Sequence, residues 1–180
     1  MGQRTVCVFC ASSVHIDTRY IELAAEVGTR IGDLGWRLVS GAGSISMMGA
    51  VATSARAAGA WTIGVIPEGL MAWEVADHEA DELVVTRDMR QRKGVMDERS
   101  DAFLVLPGGI GTLEEFIEAW TGQVLRMHAK PVVVLDPWDD FAPLREWIDG
   151  LTERGFVSAS ARSAVVWTRT VDEAFAALAD

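Results

Sequence analysis

Two carboxylates, Glu114 and Glu115, follow directly on Gly108, Gly109 and Gly111, with Thr112 and Leu113 between. Glycines let a ligand approach the backbone closely. The helix that begins after them offers unpaired N–H groups and the positive end of its dipole, so the stretch is suited to an anion such as a phosphate. A second cluster, Arg92 and Lys93, falls between Met89 and Met96 on one face of a helix. Cations on an apolar face are costly unless a partner meets them.

Each feature has a plain structural alternative. Thr112 and Glu115 fit a capping box, which would account for both residues. The helical wheel sets Glu115 opposite a stripe of Leu113, Phe116, Ile117, Trp120 and Val124, where a solvated acid is ordinary. Arg92 and Lys93 could snorkel from a core edge. The residue types alone leave these readings open.

The elements that must position these residues are legible. Ala102–Leu106 is a continuous apolar run, as in a strand buried on both faces, and Pro107 ends it. Similar runs occur at Thr5–Cys10, Trp36–Ser40, Trp61–Ile66, Glu82–Thr86, Lys130–Asp136 and Ser163–Trp167. Between them lie amphipathic helices: one through Ile21, Leu23, Ala24, Val27, Ile31 and Leu34, capped by Asp17 or Thr18; an alanine-rich one to about Ala58; one capped by Asp88; one through Phe141, Leu144, Trp147, Ile148 and Leu151; and a last over Val171–Leu178. The Trp and Met residues in these helices are expected to be core. The alternation predicts one α/β domain over residues 1–180: a Rossmann-like, doubly wound parallel sheet with helices on both faces. Ligands bind at the carboxyl ends of such strands. The glycine- and serine-bearing loops fall there: Ala11–Ser13 with Ser12, Gly41–Gly49 with Gly43 and Ser44, and Gly108–Thr112. The second is a poor dinucleotide fingerprint, because Ser46 stands where a third glycine belongs.

Composition narrows the function classes. The 180 residues carry a formal net charge of −10, which argues against broad nucleic-acid binding. It leaves room for one small phosphorylated ligand held by a local cluster. No apolar run is long enough to span a bilayer, and no signal peptide is evident, so a cytoplasmic protein is expected. Cys7-x-x-Cys10 lacks a second cysteine pair and reads as two reduced core thiols. His15, His78 and His128 are scattered, and no metal site or cofactor is expected.

Pro107-Gly-Gly-Ile-Gly-Thr-Leu-Glu-Glu115 resembles the PGGxGTxxE signature of the LONELY GUY (LOG) family, and Met89-Arg-Gln-Arg-Lys93 resembles its second signature. The resemblance covers nearly the whole chain. It implies hydrolysis of the N-glycosidic bond of N6-modified adenosine 5′-monophosphates, and of AMP, to free base and ribose 5-phosphate. It implies catalytic roles for Arg92 and Glu115. Substrate contacts are implied for Glu74, Lys93, Gly108, Gly109, Ile110, Gly111, Thr112, Leu113, Glu114 and Thr121, and for Ser12, Gly43, Ser44 and Gly49 in the other loops. It also implies a homodimer. The chain departs from the family pattern at Ala11 and Ala42, which replace glycines, and at Ile45-Ser46.

Two other functions compete. A nucleotide-binding carrier or sensor would use the same glycine loops without turnover. A decarboxylase, an older label for the family, would need a lysine able to hold pyridoxal phosphate, and Lys93 and Lys130 are the only lysines.

Overall fold

The structure is a computed structural model, and it describes residues 3–71 and 76–179. Seven parallel strands form one sheet: β1 (Thr5–Phe9), β2 (Arg37–Ser40), β3 (Trp61–Pro67), β4 (Glu82–Thr86), β5 (Ala102–Val105), β6 (Val132–Leu135) and β7 (Val165–Thr168). Their order is β4-β3-β2-β1-β5-β6-β7. The chain winds outward from β1 to one edge, then returns to lay β5 on the other side of β1. In register, Val6 pairs with Ala102 and Phe9 with Val105. The reversal point therefore lies between the carboxyl ends of β1 and β5, the position where open α/β sheets bind ligands.

Side-chain alternation along the strands builds two cores. Val6, Val8 and Cys10 face one layer, with Leu23, Ala24, Val27 and Ile31 of α1 (Thr18–Asp33), Met47 and Val51 of α2 (Ser46–Ala57), and Phe175 and Leu178 of α7 (Val171–Ala179). Cys7 and Phe9 face the other, with Met96 of α3 (Met89–Glu98), Phe116 and Trp120 of α4 (Ile110–Val124) and Ile148 of α5 (Ala142–Glu153). The two cysteines are thus on opposite faces of the sheet, each a buried free thiol.

Two helix starts are as the sequence predicts. Asp17 caps α1 by accepting from the Arg19 N–H, and Asp88 caps α3 by accepting from Gln91. Other expectations need correction. A short helix, α6 (Ala159–Ser163), occupies the stretch where the last strand was to begin; Ser158 caps it, and β7 starts only at Val165. Helix α4 starts at Ile110 rather than Thr112, with Gly109 as its cap residue and no side-chain cap hydrogen bond. The Thr112–Glu115 capping box does not form, because Thr112 already lies inside the first turn. Ile117, Val124, Trp147 and Met127 are exposed rather than core. The buried edge of α4 runs instead through Thr112, Phe116, Ala119 and Trp120. Glu115 sits one turn from both Thr112 and Ala119 along this edge, half-buried, and not on the solvated face.

Candidate active site

The loops after β1 and β5 meet in a cleft of about 200 Å³. Cys10, Ala11, Ser12 and Ser13 form one wall, and Gly109, Ile110, Gly111 and Thr112 form the other at the start of α4. Met48, Arg92 and Glu115 complete it. The first amides of α4 have no partner within the helix, and no side chain caps them, so the cleft presents N–H donors and a dipole end to an anion. Gly108 is required by close packing. A Cβ there would lie 2.1 Å from Thr112 Oγ1.

Arg92 is held from below. It is 5% exposed, its Nε donates to the Val65 carbonyl at 3.0 Å, and its Nη2 donates to the Gly41 carbonyl at 3.0 Å. Among the described residues, Nη1 meets a soft acceptor in Met89 Sδ, at 3.6 Å. The cost of burying the cation is met by main-chain oxygens at the ends of β2 and β3 rather than by snorkelling. The guanidinium has five N–H donors in a rigid fork. Two carbonyls and one thioether therefore fix its plane without saturating it. Gly41 and Val65 were not among the predicted site residues. The one available signal was their place at strand ends, since a backbone acceptor leaves no mark in residue type.

Lys93 points the other way. Its Nζ pairs with Glu114 and Glu118 of α4, tying α3 to α4 outside the cleft. Partial burial acts to lower its pKa, but the hydrogen bonds to the two carboxylates prevail and raise it above the ordinary lysine value.

Glu115 also lines a second space of about 390 Å³ between α3 and α4. Phe9, Met96, Phe103, Ala119, Gly122 and Met127 give it apolar walls, and Arg90, Lys93, Asp97, Glu118, Thr121 and His128 line it as well. Glu115 lines both spaces and is, among the described residues, the one that does so. Its charge is felt locally. Burial raises the pKa of the Cys7 and Cys10 thiols, and the Glu115 carboxylate raises both further.

The structure thus brings together Ser12, Arg92, Gly109, Ile110, Gly111, Thr112 and Glu115 around the cleft. Leu113 and Glu114 border an open groove with Arg90 and Lys93, on the outer side of α4. Gly43, Ser44 and Gly49 stand outside the cleft lining. A Cβ at Gly43 would meet Met48 Cε at 2.5 Å, and one at Gly49 would meet the Ser44 carbonyl oxygen at 2.2 Å, so these glycines pack the loop after β2 against the first turn of α2, which carries Met48. Glu74 lies outside the described residues.

Fold and site together define a Rossmann-like protein with a phosphate-type cleft at the sheet's reversal point. The family described as "possible lysine decarboxylase" matches residues 48–178. A cytokinin riboside 5′-monophosphate phosphoribohydrolase of Mycobacterium tuberculosis is 52% identical over 99% of this chain and 95% of its own. Proteins of the same name from Rhodococcoides fascians and Arabidopsis thaliana are each 39% identical, over 97% and 98% of this chain and 89% and 83% of theirs. The chain belongs to the LONELY GUY family. Among solved structures, a molybdenum cofactor binding protein from Rippkaea orientalis matches with a TM-score of 0.73 at 22% identity, over 98% of this chain and 95% of that one. That likeness shows the shared fold alone.

Proposed function

We propose that this chain hydrolyses the N-glycosidic bond of cytokinin riboside 5′-monophosphates, releasing the free base and ribose 5-phosphate, and that it accepts AMP as well. The carrying observation is the position of Glu115 between a cleft suited to phosphate and an apolar chamber suited to a base. A nucleotide with its 5′-phosphate at Gly109–Thr112 and its base toward Phe103 and Met127 carries its C1′–N9 bond past this carboxylate. Breaking that bond develops positive charge on the ribose. A carboxylate at that centre stabilises the charge and orients the attacking water. Arg92, permanently charged and fixed in plane, supplies forked donors to phosphate, ribose or departing base. Ser12 and Thr112 add hydroxyls to the phosphate side; Lys93 and Thr121 line the chamber, and Glu114 holds Lys93 from the outer side of α4.

The decarboxylase reading is disfavoured by the lysines. Lys93 is paired with Glu114 and Glu118, and Lys130 with Asp97. A Schiff-base lysine needs a depressed pKa, and that of Lys93 is raised. For the carrier reading, the fold likeness supplies no support, and a carboxylate at the junction of cleft and chamber has no evident purpose in it.

We also propose a homodimer and a cytoplasmic location. Ile110, Ile117, Val124 and Leu125 leave an exposed apolar stripe along α4, continued by Met127, which a second copy of the same surface would cover. Two buried free thiols suit a reducing compartment. No described helix is long and apolar enough to cross a membrane.

The test is chromatographic detection of free base after incubation with AMP and with isopentenyladenosine monophosphate, with Glu115→Gln run in parallel. Base release by the unmodified protein alone supports the hydrolase. Nucleotide binding with no release from either substrate overturns it in favour of the carrier.

A further inference from the structure

Met89 opens α3 three residues before Arg92, and its sulfur covers the side of the guanidinium that the backbone does not hold. Nε and Nη2 donate to carbonyls at 3.0 Å, whereas Nη1 faces Met89 Sδ at 3.6 Å. A thioether is a weak acceptor that substrate oxygens displace easily. Met89 is also accessible, at 41% exposure, as are Met71 at 37% and Met127 at 78%, whereas Met47, Met48 and Met96 are each at most 7% exposed; of these, Met89 is the one whose sulfur meets Arg92.

We propose that Met89 is an oxidation site through which peroxide lowers the activity that depends on Arg92; the inference rests on the reading of Arg92 given above. In the step, the O–O bond of a hydroperoxide breaks and one oxygen bonds to Sδ. The sulfur is oxidised by two electrons to the sulfoxide, and the peroxide is reduced to water or an alcohol. The new S–O group is strongly polar and lies beside Nη1. It accepts a charge-assisted hydrogen bond where the thioether offered only a weak one. Nη1 is then committed to its own helix and withdrawn from the substrate, and a sulfoxide reductase reverses the change. Cys7 and Cys10 do not compete for the oxidant, because burial and the Glu115 charge keep both thiols protonated.

The experiment treats unmodified protein, Met89→Leu and Met127→Leu with hydrogen peroxide. Peptide mass spectrometry reads each sulfoxide, and base release and calorimetric AMP affinity are measured on the same samples. Met127→Leu is needed because Met127, at 78% exposure, lines the base chamber. The expected result is loss of activity in step with Met89 sulfoxide in the unmodified and Met127→Leu proteins, and sparing in Met89→Leu relative to its own untreated activity. Untreated Met89→Gln, whose amide oxygen mimics the sulfoxide, is expected to fall about tenfold or more below Met89→Leu in kcat/KM, the worth of one charge-assisted hydrogen bond. Equal impairment by Leu and Gln reduces Met89 to a packing residue and overturns the proposal. So does an intact Met89 in peroxide-treated protein, or a full sulfoxide without effect. Absence of base release from untreated protein is a failure of the hydrolase reading instead, and the AMP affinity then still decides the role of Met89.

Discussion

Gly41 and Arg92 are matched through a gap that no side chain could share. The Gly41 carbonyl accepts from Arg92 Nη2 at 3.0 Å, and a Cβ on Gly41 would lie 2.0 Å from that same nitrogen. Gly41→Ala is therefore expected to leave the fold intact and displace the guanidinium. A displacement of about 1 Å costs on the order of a hundredfold in rate, so kcat/KM should fall by ten- to a hundredfold. Steady-state kinetics with circular dichroism checks this. A folded Gly41→Ala protein with normal kinetics would detach Arg92 from the reaction.

Arg92 and Lys93 are adjacent but not interchangeable. Arg92→Lys cannot span the Val65 and Gly41 carbonyls with one ammonium and is expected to lose roughly a hundredfold or more in kcat/KM. Lys93→Arg keeps a cation between Glu114 and Glu118, and its loss should stay below about tenfold. Kinetics of the two single variants would reveal a reversed order, which contradicts the placement of the two cations.

Glu115→Gln is the direct test of the carboxylate. Its turnover is expected to fall by about three orders of magnitude, the range for a group that stabilises charge and positions a proton acceptor. Nucleotide affinity should change far less, since the proposed phosphate contacts, the amides of Gly109–Thr112 with Ser12 and Arg92, do not include the Glu115 carboxylate. Single-turnover kinetics and equilibrium binding separate the two quantities.

The thiols report on the same carboxylate. Burial first, and Glu115 second, raise the pKa of Cys10 far above its ordinary value of 9.0, and Cys7 moves in the same direction. Native protein should therefore resist iodoacetamide at pH 8, while unfolded protein takes up label at both cysteines. The sign for stability follows. The folded state keeps these protons where the unfolded state loses them, so no penalty exists below about pH 9 and stability falls as pH rises above it. Urea titrations from pH 7 to 10.5 should show this decline, reduced in Cys10→Ala.

Ala42 and Gly64 form a steric pair. Ala42 is fully buried with φ of 59°, a conformation that suits glycine, and a Cβ on Gly64 would sit 2.8 Å from the Ala42 Cβ. Gly64→Ala is expected to destabilise by about 1–3 kcal/mol through overpacking. Adding Ala42→Gly should recover at least part of it, giving a double-mutant coupling of about 0.5 kcal/mol or more. Additive effects from denaturant melts would show that the two positions do not touch.

Much of this architecture was legible because it rests on side-chain type. Alternating apolar runs and helices announce a parallel sheet, and Asp17 and Asp88 announce their helices. The errors lie where backbone geometry or a second surface decides. Thr112 looks like a cap, but α4 starts two residues earlier, and its buried edge runs through Thr112, Phe116, Ala119 and Trp120, which leaves Glu115 beside that edge. Ile117 and Val124 look like core, since hydropathy does not distinguish a residue packed inside from an apolar one left exposed. The partners of Arg92 are carbonyls, identical at every residue, so the signature names the cation and not what holds it. Gly43 and Gly49 share the look of a phosphate loop with Gly109 and Gly111, and they are also glycines because Met48 and the Ser44 carbonyl leave no room for a Cβ.

The carbonyl seat of Arg92 has a consequence for how such an enzyme can be altered. Acceptors made of main chain cannot be deleted by substitution, so the guanidinium keeps its plane while the surrounding side chains change. Variation in the chamber proposed for the base, at Ala119, Gly122 or Met127, is mechanically separate from that seat. If the proposed reading holds, one scaffold can thus be refitted for differently decorated bases without moving Arg92, which the backbone of Gly41 and Val65, not the signature residues, holds fixed.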